Sequence, residues 1–286
     1  MSFSGEVKEE ISKLSNLANK EAVKYELLGY IITNNISAEK NKIKFCTESE
    51  YSINRFSKLL NNLQYSNHKI EIIGKRFCIS VNKPDISEIT YMNNTVMLEG
   101  IINKVSNQEI LEKAFVRGSF LGGGSVNNPK NNYHLEIIFS SEENASIILE
   151  ILSKYEINFK KIEKKNGQAI YTKDGEQISK FLALIGASTA VLKFEEIRVY
   201  REIRNNVNRK VNCETANLYI TVEAAIKQIG QFEKMPEQLQ EVAELRIKNP
   251  EATLSEIGKM LSKPIGKSGV NHRFQNIEQF VSKFKQ

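Results

Sequence analysis

Apolar residues recur along this chain in two rhythms, and the change of rhythm divides it. Through about the first two hundred residues, stretches rich in β-prone side chains alternate with helical stretches. Asn41–Thr47 and Tyr133–Ser140 read as strands, Tyr51–Leu63 and Glu143–Tyr155 as helices. Lys69–Ile73 with Arg76–Val81, and Ile157–Lys164 with Gln168–Thr172, read as hairpins that turn at Gly74-Lys75 and Asn166-Gly167. A further helix from Gly175 to Gly186 closes the second set.

The two sets share one order, and each opens on similar residues. Tyr25-Glu-Leu-Leu-Gly-Tyr-Ile-Ile-Thr-Asn-Asn35 precedes the first, and Ala114-Phe-Val-Arg-Gly-Ser-Phe-Leu-Gly-Gly-Gly-Ser125 the second. Both read as helix ends with an internal glycine, Gly29 or Gly118. A glycine inside a helix costs about 1 kcal/mol relative to alanine, so it usually has a packing reason. Two helices crossing glycine to glycine would bring their backbones unusually close. The expected fold is α+β, with two pseudo-symmetric modules facing each other.

Beyond Glu233 the strand patterns stop. Met235 to Asn249 reads as a helix closed by Pro250. Thr253 to Leu261 reads as a second, with Thr253 as N-cap and Glu256 completing a capping box. Pro264 breaks it, and a third helix runs from about Ser268 to Phe284. Three short helices with a tight turn before the last match the helix-turn-helix plan. On the third helix Val270, Phe274, Ile277, Val281 and Phe284 share an apolar stripe. Ser268, His272, Gln275 and Gln279 face away from it, with Asn271 beside them. Hydroxyls and amides both donate and accept, which is what base edges require. Ser268, Asn271, His272 and Gln275 are therefore the candidate base readers. Lys263, Lys267 and Arg273 are the candidate phosphate contacts. Gly269, on the rim, would let backbone approach DNA closely. A small helical domain that docks on protein through a solvated basic face is the other reading.

Charge sharpens this picture. Glu233 to Gly258 carries six acids and three bases, whereas Lys259 to Gln286 carries six bases and one acid. A polyanion would be drawn to the second half alone. The whole chain, 286 residues with a formal charge of +6, has room for two domains. Arg198 to Asn212 is another basic stretch, with Arg201, Arg204, Arg209 and Lys210 as candidate further DNA contacts. Its asparagines are poor helix-interior residues, so it reads either as a DNA-contacting link or as a structural hinge. Ala216 to Phe232 then reads as a separate helix.

Other chemistry is sparse. Cys46, Cys78 and Cys213 have no metal-ligand spacing and form an odd set, so free thiols in a reducing cytoplasm are expected. The three histidines are far apart, and no metal or cofactor is expected. No signal peptide and no membrane-spanning run are apparent, which points to a cytoplasmic location. Gly122-Gly-Gly-Ser125 lacks the Gly-Lys-Ser/Thr of a phosphate loop and fits better as a helix exit where two modules approach. No carboxylate pair or nucleophile motif suggests catalysis.

Two modules that each open on a glycine-bearing helix resemble the LAGLIDADG homing-endonuclease fold. The resemblance implies a saddle of two sheets over DNA and an acidic metal ligand closing each motif. Alignment on Gly29 and Gly118 puts Asn34 and Gly123 at those positions. Neither replaces a carboxylate as a hard-metal ligand, and Glu26 falls toward the other end of its helix. The chain as a whole resembles the WhiA family of sporulation and cell-division regulators. The likeness rests on Ser2-Phe-Ser-Gly-Glu-Val-Lys-Glu-Glu-Ile11, Phe115-Val-Arg-Gly-Ser-Phe-Leu-Gly-Gly-Gly-Ser125, Arg201-Glu-Ile-Arg-Asn-Asn-Val-Asn-Arg-Lys-Val-Asn-Cys-Glu-Thr-Ala-Asn217 and Lys267-Ser-Gly-Val-Asn-His-Arg273.

That family implies a degenerate LAGLIDADG-like domain at 1–212, with modules at about 1–105 and 106–212. It is joined by a linker helix at 213–232 to a helix-turn-helix domain at 233–286. It also implies a nucleoid-associated transcriptional regulator tied to division, chromosome segregation and sporulation, without nuclease activity. The expected partner is double-stranded DNA, bound by a monomer, with transcription or cell-division proteins as further candidates. A metal-dependent endonuclease with relocated carboxylates and an interaction module of the division machinery are the rival readings.

Overall fold

A computed structural model describes residues 2–38, 41–92, 95–98, 100–105, 108–165, 167–229, 234–249 and 252–282; side chains at 92, 95, 97, 210–229 and 281 fall outside the description. The chain forms two compact units, Met1–Val199 and Tyr200–Gln286.

The first unit opens with α1 (Phe3–Ser12) and α2 (Lys20–Ile31). The first module continues through β1 (Ile36–Ala38), β2 (Lys42–Thr47), α3 (Glu50–Asn62), β3 (Ile70–Ile73) and β4 (Arg76–Asn82). A small hairpin, β5 (Ile89–Met92) with β6 (Thr95–Leu98), and the short α4 (Ile101–Val105) lead to the second module. There α5 (Glu109–Gly123), β7 (Gly124–Val126), β8 (Leu135–Phe139), α6 (Glu142–Lys154), β9 (Lys160–Lys164) and β10 (Gly167–Thr172) repeat the order, and α7 (Gly175–Leu184) follows.

The repeat extends to topology. Each module has a four-stranded antiparallel sheet, ordered β1-β2-β4-β3 in one and β7-β8-β10-β9 in the other. Even the helix caps match: Ser49 accepts from the Ser52 amide to start α3, and Ser141 accepts from the Asn144 amide to start α6. In each sheet one face is apolar. Ile43 and Phe45 on β2, and Leu135, Ile137 and Phe139 on β8, are buried against α3 and α6. The edge strands β1 and β7 escape a sequence reading because three residues are too few to show alternation.

Two turn assignments part company. Gly74, at φ +63°, joins Ile73 to Arg76 as expected. In the second hairpin Gly167 pairs with Lys164, so the turn comes one residue earlier than Asn166-Gly167. Gly167 belongs to the strand end, where a Cβ would lie 2.0 Å from the Phe139 carbonyl oxygen. Asn166 itself is outside the described residues.

The centre of the unit is the crossing of α2 and α5. A Cβ on Gly29 would lie 2.2 Å from the Phe115 carbonyl oxygen, and one on Gly118 would lie 1.9 Å from that of Glu26. The two backbones touch where the sequence has no side chain, as the internal glycines predict. Around the crossing, Tyr30, Leu27, Leu28, Phe115, Phe120 and Leu121 are buried in one continuous core.

Between α7 and the last three helices runs α8 (Ser188–Ile229), a single helix. Arg198 to Asn212 lies inside it, and Ala216 begins no new element. The separate helix expected from Ala216, and the hinge that is one of two readings of Arg198 to Asn212, are corrected accordingly. Backbone hydrogen bonding along a long helix outweighs the modest propensity penalty of several asparagines.

The second unit ends in α9 (Glu237–Lys248), α10 (Leu254–Met260) and α11 (Lys267–Ser282). Their shared core is Met235, Leu239, Val242, Ala243, Leu254, Ile257, Leu261, Val270, Phe274 and Ile277.

Candidate nucleic-acid interface

The head is built around the turn between α10 and α11. Thr253 and Glu256 form the reciprocal capping box that starts α10. Gly258 then lets the chain fold back on itself. The Ile265 amide donates to the Gly258 carbonyl at 3.0 Å, and a Cβ on Gly258 would lie 2.2 Å from the Ile265 carbonyl oxygen. Nothing in the hydrophobic pattern marked Gly258, since its role depends on a contact made by the turn.

Turned against that core, α11 sorts its residues by face. Val270, Phe274 and Ile277 are buried, while Ser268, His272, Gln275 and Gln279 are exposed and Asn271 is half-buried. Val281 and Phe284, assigned to the apolar stripe, lie outside the described side chains. Three of the four candidate base readers thus share the outer side of one helix with Asn271 at its edge, and His272 makes a 3.4 Å contact through Nδ1 with the Asn276 amide.

The cations are placed less uniformly. Lys263 and Lys267 are exposed before and at the start of α11. Arg273 is half-buried and donates through Nη1 to the Gln238 carbonyl on α9 at 3.4 Å. Gly269 sits beside the turn. A Cβ there would meet the Ile265 side chain at 3.1 Å, a tight contact with the turn. On α8, Arg204 and Arg209 are exposed and Arg201 is half-buried; the side chain of Lys210 is outside the description.

The helix exits of the first unit carry Asn34 and Gly123. Asn34 follows α2, and its amide donates to the Ile138 carbonyl at 3.2 Å. Asn35 reaches across to the other motif, donating through Nδ2 to the Gly122 carbonyl at 2.8 Å. Gly123 has no room for more than hydrogen: a Cβ would lie 2.5 Å from the Ile138 carbonyl oxygen. The glycine run is therefore a close-packed helix exit. One neutral amide and one position without a side chain do not fit the hard, multiply charged coordination that a divalent cation needs. Among the described residues no three His, Cys, Asp or Glu side chains come together as a metal site.

A carboxylate does sit at the crossing, but it is committed elsewhere. Glu26, 1 % exposed, lies in the middle of α2 and not toward its end. Its carboxylate accepts from Arg55 Nε at 2.7 Å and Nη2 at 3.0 Å, and from Arg117 Nη1 at 3.3 Å. Arg55 also donates to the Leu14 carbonyl, and Arg117 to that of Ile185. One buried acid thus ties together α2, α3, α5 and the segment after α7. The sequence signal was faint, since Glu26 is one of four charges on α2 with Lys20, Glu21 and Lys24; its partners, distant along the chain, gave none.

Comparison with known proteins matches this geometry. Residues 112–204 match the WhiA LAGLIDADG-like domain, and residues 207–281 match the WhiA C-terminal HTH domain. A protein of Clostridium tetani named probable cell division protein WhiA is 37% identical over 311 residues, covering 98% of this chain and 97% of its own.

The chain belongs to the WhiA family.

Solved WhiA structures have the same architecture. Full-length DUF199/WhiA from Thermatoga maritima is 26% identical, with a TM-score of 0.56 and 99% of each chain covered. The N-terminal LAGLIDADG domain of DUF199/WhiA is 28% identical, with a TM-score of 0.52, covering 65% of this chain and 90% of that one. The fold is accordingly the WhiA arrangement of a LAGLIDADG-like domain and a helix-turn-helix domain. Among the described residues no helix is long and apolar enough to cross a membrane.

One expectation about this WhiA chain is overturned. Cys46 and Cys78 are joined by a disulfide. They stand directly opposite each other on β2 and β4, a pairing that 32 intervening residues concealed.

Proposed function

We propose that this WhiA chain is a sequence-specific DNA-binding transcriptional regulator. In this reading it acts in cell division, chromosome segregation and sporulation, without nuclease activity. The observation that carries the reading is the division of α11. Its apolar side is spent on the head's core, while Ser268, His272 and Gln275 stand exposed on the other side with Asn271 at the edge. Side chains able to donate and accept, held on a helix of this kind, match the requirements of major-groove readout. Lys263 and Lys267 supply phosphate contacts. Arg273 joins them by giving up its contact with Gln238, or supports the helix from behind. Arg201, Arg204, Arg209 and Lys210 are candidate further DNA contacts in this reading.

Several features support the non-enzymatic part: the neutral helix exits at Asn34 and Gly123, and the engagement of Glu26 by two arginines. The partner is double-stranded DNA, with transcription or division proteins engaging the LAGLIDADG-like domain. The protein works as a monomer in the cytoplasm, associated with the nucleoid.

The test is genome-wide mapping of sites bound by the full-length protein, followed by titration of labelled duplexes carrying a mapped site over a salt series. Preferential binding with a steep salt dependence is expected. Equal affinity for mapped and scrambled duplexes at every salt concentration would overturn sequence reading.

A further inference from the structure

The Cys46–Cys78 disulfide occupies a position from which it can act on the crossing of the two modules. On β2 and β4, Phe45 and Ile79 point into the core, so the paired cysteines lie on the opposite face. Cys78 is buried, but Cys46 is only half-buried and keeps part of its surface in solvent. The peptide of Cys46 is held on both sides. Its amide donates to the Asn35 carbonyl at 3.2 Å, and its carbonyl accepts from Arg76 Nη2 at 2.7 Å. The same Arg76 nitrogen donates to Asn35 Oδ1 at 3.1 Å, and Asn35 Nδ2 donates to the Gly122 carbonyl. A short path of hydrogen bonds therefore runs from the disulfide through Arg76 and Asn35 to the exit of α5 in the other module.

We propose that Cys46 and Cys78 form a redox-sensitive clasp that sets the rigidity of the helix exits at the module crossing. Closed, it fixes β2 against β4 by a covalent bond and keeps Cys46, Arg76 and Asn35 in register. Open, the strands are held by ladder hydrogen bonds alone, and the exits loosen. The co-reactant is a low-molecular-weight disulfide. The thiolate of one cysteine attacks it, giving a mixed disulfide and releasing one thiol. The second cysteine's thiolate then attacks the protein sulfur of that mixed disulfide and releases the second thiol. Both electrons lost by the cysteine pair, and both of their protons, end on the two released thiols. Reduction by a dithiol runs the exchange in reverse. Disulfides in a reducing compartment are characteristically of this transient, sensing kind.

The experiment uses the full chain equilibrated with oxidised glutathione or with dithiothreitol. Thiol titration under denaturing conditions is expected to find one free thiol, that of Cys213, after oxidation and three after reduction. Peptide mapping should show the new bond between Cys46 and Cys78. Hydrogen exchange of the Asn34 and Cys46 amides should slow by about tenfold in the oxidised protein, while the caps of α9 and α10 stay unchanged. With Arg76→Ala the bond should still form but the effect on Asn34 should shrink, leaving only what the Cys46 amide transmits through the Asn35 carbonyl. Three free thiols after oxidation, or a bond involving Cys213, would refute the clasp. A Cys46–Cys78 bond with identical exchange in both states would refute its action on the crossing. A Cys213→Ser variant, titrating as none against two, secures the count.

Discussion

Gly118 lies against Glu26 so closely that a Cβ added to Gly118 would stand 1.9 Å from the Glu26 carbonyl oxygen. The contact is backbone to backbone, so no side-chain rotation can relieve it. Gly118→Ala should therefore cost more than the roughly 1–3 kcal/mol typical of overpacked cores. Gly29→Ala, meeting the Phe115 carbonyl at 2.2 Å, should behave alike. Chemical denaturation of each variant against wild type is the measurement; a change below about 1 kcal/mol would contradict the close crossing.

Glu26→Gln keeps the size of the side chain but removes the charge that Arg55 and Arg117 share. Both guanidiniums are buried, at 1 % and 8 % exposure. Leaving buried cations uncompensated typically costs about 3–5 kcal/mol. Loss of this size should appear in urea unfolding followed by circular dichroism. The helical head, which has its own core, should retain its share of the signal longest.

Acid should weaken the first unit through Glu88. Burial pushes its carboxyl up, but hydrogen bonds from Lys104, Lys24 and Ser87 outweigh this and hold it at about 2. A depressed folded-state value means stability that is present above the unfolded carboxylate range and lost as pH falls through the folded one. The window runs from about pH 4.5 down to about pH 2, with about half the contribution gone by pH 3. Comparing unfolding midpoints at pH 5 and pH 3, Glu88→Gln should show a smaller decline than wild type. Parallel declines would remove Glu88 from the acid response.

Asn271→Ala and Gln275→Ala should each relax base preference, by about 1–3 kcal/mol for a lost bidentate contact. Lys267→Ala should instead weaken all duplexes alike and lower the salt slope by about one charge. Selection of bound sequences from a random duplex pool separates the two behaviours. An unaltered motif after both amide substitutions would place base reading elsewhere than on this face of α11.

No strand cleavage should accompany binding. Supercoiled plasmid carrying a mapped site, incubated with full-length protein and Mg²⁺ or Mn²⁺, should stay supercoiled. A nicked or linear product that vanishes with EDTA and co-purifies with the protein would restore the endonuclease reading.

Local rules settled a good deal of this protein before any coordinates. Periodicity placed α3, α6, β2, β4, β8 and the three head helices because each is set by its own spacing of apolar residues. Gly29 and Gly118 announced a close helix crossing because a glycine inside a helix needs a reason from outside it. The capping box at Thr253 is local by nature, and so was legible. Contacts between distant residues were not. The pairing of Cys46 with Cys78 follows from strand register, the anchoring of Glu26 from residues brought in by α3 and α5. The task of Gly258 depends on where Ile265 lands after the turn. Only the packed chain brings such groups together, since pattern records which face a residue takes and not which partner it meets there.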